Sequence, residues 1–178
     1  MLRYLPKRVQ RGFTLVELLI VVIIVSILAA IVIPQFASST NDAKFAALTT
    51  NLSTLRSSVE MYYQQHGHYP SGAASSGGTP PAGGAAGTGA INTPQALIDQ
   101  LTLYTNAAGQ AATASDVNYK FGPYVKKGLP IESVSGIATV EVSAAGILGM
   151  TATGNAGGWK FDNKTGQLIA NTTALQGR

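Results

Sequence analysis

Sixteen consecutive residues, Leu18 to Ile33, carry one polar side chain, Ser26, and no charge. With Phe13-Thr14-Leu15-Val16-Glu17 in front of them they form a 21-residue stretch. As a helix this stretch spans ~31 Å, the thickness of a bilayer's hydrocarbon core. Ahead of it, residues 1 to 12 contain Arg3, Lys7, Arg8 and Arg11 and no acid, so this leader alone holds the chain's net charge of +4. The other 166 residues balance eight bases against eight acids. A nucleic-acid partner, which needs basic residues gathered on one folded surface, is therefore not expected. Basic residues before an apolar helix hold that end in the cytoplasm, so the remainder is expected to be exported. There is no cysteine, which excludes disulfides, thiolate metal sites and a cysteine nucleophile.

Three readings of this N-terminus compete. A secretory signal cut beside Ala29-Ala30 disagrees with the length of the apolar run and with an acid inside its start. A plain single-span anchor leaves Glu17 unexplained, because a carboxylate in lipid is costly unless a partner compensates it. The third reading uses every feature. Lys7-Arg8-Val9-Gln10-Arg11-Gly12 followed by Phe13-Thr14-Leu15-Val16-Glu17-Leu18-Leu19-Ile20-Val21-Val22 resembles the leader and helix start of type IV pilins and type II secretion pseudopilins. The resemblance implies that a prepilin peptidase cuts between Gly12 and Phe13 and that the same enzyme N-methylates Phe13. It also implies that Phe13 and Glu17 take part in filament assembly, Glu17 facing the N-terminal amine of a neighbouring subunit. Further implied partners are other copies of the chain in a helical filament and an inner-membrane assembly platform. The implied location is the bacterial inner membrane, single-pass with a cytoplasmic N-terminus, and after assembly a periplasmic or cell-surface filament.

Pro34 removes a backbone donor, so a helix kink or local melting is expected there. The helix need not end, because Phe45, Leu48, Leu52, Leu55, Val59 and Tyr62 follow at spacings of three and four, one face of a continuing amphipathic helix. Gly67 and Pro70 mark its exit. His66 and His68 lack the neighbouring ligands a metal site requires. From Ser71 to Thr93, 21 of 23 residues are Gly, Ala, Ser, Thr or Pro, a composition that predicts a flexible loop. Thr93-Pro94 then opens a short helix to about Tyr104, with Ala96, Leu97, Leu101 and Tyr104 facing inward. Ile137 to Val142, Trp159 to Phe161 and Gln167 to Ala170 read as strands, the last two joined by a turn at Asp162 to Gly166.

The expected fold is thus α+β and pilin-like: a long N-terminal helix whose hydrophobic half lies in the membrane and whose amphipathic half packs on a small antiparallel sheet. The expected divisions are a basic leader at 1–12, a transmembrane and assembly helix at 13–36, the amphipathic half-helix and exit turn at 37–70, the loop at 71–93 and a β-rich remainder at 94–178. No cofactor and no catalytic constellation is expected, so the chain reads as a structural subunit and not an enzyme. Tyr69-Pro70 and the segment Gly122-Pro123-Tyr124-Val125-Lys126-Lys127-Gly128-Leu129-Pro130 resemble those of major pseudopilins, which favours a type II secretion pseudopilus. That family's calcium loop is not evident after Pro130, where Ile131-Glu132-Ser133-Val134 stands, and a cysteine-free surface pilin for adhesion or motility is the alternative. A monomeric membrane-anchored binding domain is a third. Asn-x-Ser/Thr matches at Asn51, Asn163 and Asn171 are too unspecific to assign glycosylation.

Overall fold

A computed structural model describes residues 12–154 and 158–173. The chain divides into two compact units, with the boundary between Asp42 and Ala43. Helix α1, Leu15–His66, contributes to both and contains Pro34 within its length. In the first unit its side chains from Leu18 to Ile33 are apolar apart from Ser26 and, Ala29 aside, exposed on every face, the pattern of a segment whose surroundings are lipid. Ser26, the polar exception, donates its hydroxyl to the Val22 carbonyl at 2.7 Å and so presents no unpaired group.

The second unit is built on the other half of α1. Leu48, Leu55, Val59 and Tyr62 are buried, and Leu52 packs beside them, so the three-and-four spacing does mark the inward face. The helix stops at His66 because Gly67 takes a left-handed conformation (φ +73°) and returns its N–H to the Tyr63 carbonyl at 2.8 Å. Helix α2, Pro94–Thr102, starts as its sequence predicts: the Thr93 hydroxyl accepts from the Ala96 N–H at 3.2 Å and Pro94 occupies the first turn. It ends before Tyr104, since Leu103 is extended, and Tyr104 instead enters a strand. Leu97 and Leu101 join the α1 residues in the core.

Two small sheets complete the unit. Strands β1 (Tyr104–Thr105) and β2 (Ala111–Ala112) form an antiparallel pair. Strands β3 (Val140–Ser143), β4 (Trp159–Asp162) and β5 (Leu168–Ala170) form the second, in that order. The expected hairpin is present, β4 and β5 pairing antiparallel across the Asp162–Gly166 turn, whereas β3 is shorter than its sequence suggests and runs parallel to β4. Val140, Trp159, Phe161 and Leu168 point from this sheet into the core, and the Trp159 indole N–H donates to the Pro130 carbonyl at 2.8 Å. Asp162 is fully buried at the end of β4. One of its oxygens accepts from the Lys164 and Thr165 N–H groups at 2.9 and 3.0 Å and from the Thr165 hydroxyl at 3.2 Å. The other accepts from the Ser143 hydroxyl at 3.1 Å and the Gly146 N–H at 3.0 Å. Burial pushes this carboxyl up, but the hydrogen bonds outweigh burial and hold it below the usual aspartate value.

Residues 71–93, read from composition as a flexible loop, form no helix or named strand, yet Ser71 and Ser75 are fully buried. Two polar residues of α2 bind the segment. Asp99 accepts from the Ser75 hydroxyl at 2.6 Å and the Thr88 N–H at 2.8 Å, and Gln100 accepts from the Ser71 N–H at 2.6 Å. Gly89 lies so close to α2 that a methyl group there would overlap the backbone of Ala96.

Candidate functional site

The residues singled out at the N-terminus lie at the start of α1. Gly12 and Phe13 precede the helix and are exposed, Phe13 at 76% of its full accessibility, and among the described residues nothing stands within 4 Å of where a Gly12 side chain would begin. Thr14 caps the helix. The Glu17 N–H donates to the Thr14 hydroxyl oxygen at 3.2 Å, and one Glu17 carboxylate oxygen accepts from the Thr14 N–H and hydroxyl, each at 2.8 Å. This reciprocal pairing is a capping box, and its signature, a threonine three residues before a glutamate and an apolar run, stands in the sequence. Among the described residues the second carboxylate oxygen has no hydrogen-bond partner, so Glu17 can serve its own helix and still accept from another molecule. Among the described residues, the helix that follows is the one long and apolar enough to cross a membrane.

Elsewhere, chemistry-bearing residues serve the fold. His66 is half-buried, stacked on the Tyr62 ring at 4.0 Å, with its two ring nitrogens against the Tyr62 carbonyl at 3.0 Å and the Thr105 hydroxyl at 3.1 Å. Burial holds its pKa below the usual value. The segment 122–130 ties the two helices together: the Tyr124 and Val125 N–H groups donate to the Leu101 carbonyl at 2.9 Å, and the Tyr124 hydroxyl donates to the Gln65 side chain at 2.6 Å. Glu132, fully buried where the resembled family has its calcium loop, accepts from the Val134 and Ser135 N–H groups at 2.7 Å each, so both oxygens close its own turn. The three Asn-x-Ser/Thr asparagines are similarly engaged: Asn163 with the Ser71 carbonyl and Asn171 with Glu141, both buried, and the less buried Asn51 with the Ile131 carbonyl at 3.5 Å.

A polar cluster absent from the sequence reading lies on the outer face of the β3–β5 sheet. Glu141 of β3 pairs with Lys160 of β4 at 3.4 Å and accepts from the Thr153 hydroxyl at 2.7 Å and the Asn171 side-chain amide at 3.2 Å. The Thr153 hydrogen bond is the main cause holding the Glu141 carboxyl below its ordinary value; burial opposes it, and Lys160 and Asn171 add to it. No periodicity or motif brings residues 141, 153, 160 and 171 together; the parallel register Glu141 to Lys160 does.

Residues 7–33 match a family described as the prokaryotic N-terminal methylation motif. Among curated proteins, the type II secretion system core protein G of Pseudomonas aeruginosa is 37% identical over 67 residues, 38% of this chain and 47% of that protein. A fimbrial protein of Neisseria meningitidis is 42% identical over 62 residues, 35% of this chain and 36% of that protein. The type IV major pilin protein PilE1 of Neisseria gonorrhoeae is 37% identical over 138 residues, 78% of this chain and 61% of that protein. The first two matches span half or less of those relatives' length. No solved structure matches the chain.

Proposed function

We propose that this chain, similar over its N-terminal third to type IV pilins and type II secretion pseudopilins, is a structural subunit assembled through its N-terminal helix, and that it follows this course. It is made as a membrane prepilin, cut after Gly12, N-methylated on Phe13 and polymerised into a helical filament. The observation that carries this reading is the start of α1: an exposed Gly12-Phe13 junction, then Glu17 with one oxygen in a capping box and the other, among the described residues, without a partner, then an apolar helix that no other described residue covers. Cutting on the cytoplasmic side removes the basic leader and leaves the span in place. It also creates an amine on Phe13, the chemical complement of the open Glu17 oxygen on a neighbouring subunit. Head-to-tail stacking of identical subunits is an open, heterologous arrangement, as a filament requires. Pro34 lies where such a helix can bend or loosen during packing.

Within that reading we favour a type II secretion pseudopilus, supported by the segment 122–130 and its ties to both helices. The surface pilin is the second reading, and the 138-residue alignment to the gonococcal pilin, which extends well past the helix, supports it. Mass spectrometry of the mature N-terminus tests the shared part: methylated Phe13 is expected, and an intact Met1 or a cut beside Ala30 would refute it. Deletion of the gene then separates the two forms, with loss of secreted proteins expected for a pseudopilus and loss of long surface fibres for a pilus.

A further inference from the structure

The Glu141 cluster is built like a reaction site. Lys160 and Asn171 lie on one face of the sheet: Lys160 pairs with Ile169, and Asn171 continues the ladder two residues on, its N–H donating to the Gly158 carbonyl at 3.0 Å. Long side chains reach across such a diagonal. Both touch the same carboxylate, Lys160 Nζ at one oxygen of Glu141 (3.4 Å) and Asn171 Nδ2 at the other (3.2 Å). Asn171 Oδ1 meanwhile accepts from the Thr153 backbone N–H at 2.8 Å, with the Thr153 hydroxyl at 3.2 Å. The Thr151 carbonyl, 3.3 Å from Lys160 Nζ, holds the amine in place. Asn171 is 1% exposed and the Lys160 side chain 13%, while the Glu141 side chain keeps a 35% exposed edge to water.

We propose that Lys160 and Asn171 become joined by an intramolecular amide bond that the folded chain forms itself, with Glu141 carrying the protons and the Thr153 N–H stabilising the oxyanion. A nucleophile and the amide nitrogen that must leave touch opposite ends of one acid–base group, and a fixed donor points at the carbonyl oxygen. In the step, Glu141 takes a proton from the Lys160 ammonium, and the freed amine attacks Asn171 Cγ. The carbonyl electron pair moves onto Oδ1 against the Thr153 N–H. Glu141 delivers the proton to Nδ2, the Oδ1 electron pair re-forms the carbonyl, and the Cγ–Nδ2 bond breaks with its electron pair on nitrogen. Glu141 then takes the surplus proton from the former Lys160 amine nitrogen and passes it to the departing ammonia. Lysine ammonium and asparagine amide become a secondary amide and one ammonium ion, which leaves past the exposed edge of Glu141. Nothing is oxidised or reduced, the carboxylate is regenerated, and the event occurs once per molecule. It staples the closing hairpin of a chain that has no cysteine with which to form a disulfide.

Intact-mass and peptide analysis of the purified full-length chain tests this. The expected mass is one ammonia below that of the correspondingly processed sequence, with a branched peptide joining Lys160 to Asn171 and a more acidic isoelectric point. Lys160→Arg and Glu141→Gln should both keep the unmodified mass. Recovery of unmodified Lys160 and Asn171 peptides from wild-type protein after prolonged incubation would overturn the proposal. So would an ammonia loss that survives in Lys160→Arg. The wild-type peptide map decides the matter even if a variant fails to fold.

Discussion

Replacing Asp162 by asparagine changes one oxygen into an amide nitrogen at a fully buried position with five donors around it. The best orientation keeps the oxygen on the Lys164 and Thr165 groups and turns the new NH2 toward Ser143 and Gly146. The serine hydroxyl can rotate and accept, but the Gly146 N–H cannot, so one buried donor faces another. Charge-assisted hydrogen bonds weaken to neutral ones at the same time. A lost partner costs about 1–3 kcal/mol, which places Asp162→Asn at about 2–3 kcal/mol and Asp162→Ala, with every donor stranded, at roughly 4–5 kcal/mol. Urea unfolding of the detergent-solubilised chain, followed by fluorescence of Trp159, the only tryptophan and a buried one, reads these losses directly. The sign of the pH effect is fixed as well. With its folded pKa depressed, Asp162 contributes its stability above the ordinary value of 3.8 and loses it as pH falls through the folded value. The gap between wild type and Asp162→Asn should therefore close in acid. A neutral-pH difference below about 0.5 kcal/mol, the scatter of ordinary surface changes, would refute the role given to this carboxylate.

Glu17→Gln keeps an oxygen for the Thr14 N–H but removes the charge, whereas Thr14→Ala removes the hydroxyl and keeps the charge. Filament yield from sheared cells should collapse in the first and fall modestly in the second, and equal losses would mean that the cap alone matters. His66 is held below its ordinary pKa of 6.5, so the stability it secures is complete above that value and declines as pH drops toward the folded pKa. A melting curve series should show this step in wild type and not in His66→Phe, which keeps the ring stack on Tyr62. Gly166→Ala forces a residue with φ +72° and drives a methyl group into the Tyr69 ring, so urea unfolding should show a loss of at least about 2 kcal/mol.

What the sequence disclosed was whatever depends on neighbours along the chain. The spacing Leu48, Leu52, Leu55, Val59, Tyr62 located the buried face of α1, Thr93-Pro94 the start of α2, and Asp162 to Gly166 the hairpin turn, because helix period, capping and turn geometry act over a few residues. Tyr104 and the first half of the expected 137–142 strand were assigned past their true limits, since no local signal opposes an extended or helical continuation there. The parallel pairing of β3 with β4 and the meeting of Glu141, Thr153, Lys160 and Asn171 had no local signature, as they join residues far apart along the chain. Composition also concealed the anchoring of residues 71–93, because the groups that bind it, Asp99 and Gln100, belong to a different element.

That anchoring bears on how the protein can diverge. A run of glycine, alanine and serine outside any helix or strand looks like the stretch where substitutions accumulate unnoticed. At Gly89 the smallest change, one methyl group, collides with the α2 backbone, while Ile147 and Leu148, large and apolar, stand in open solvent at 66% and 78% exposure. Natural variants should thus preserve the plain residue and exchange the conspicuous ones, an inversion of what residue type alone would suggest.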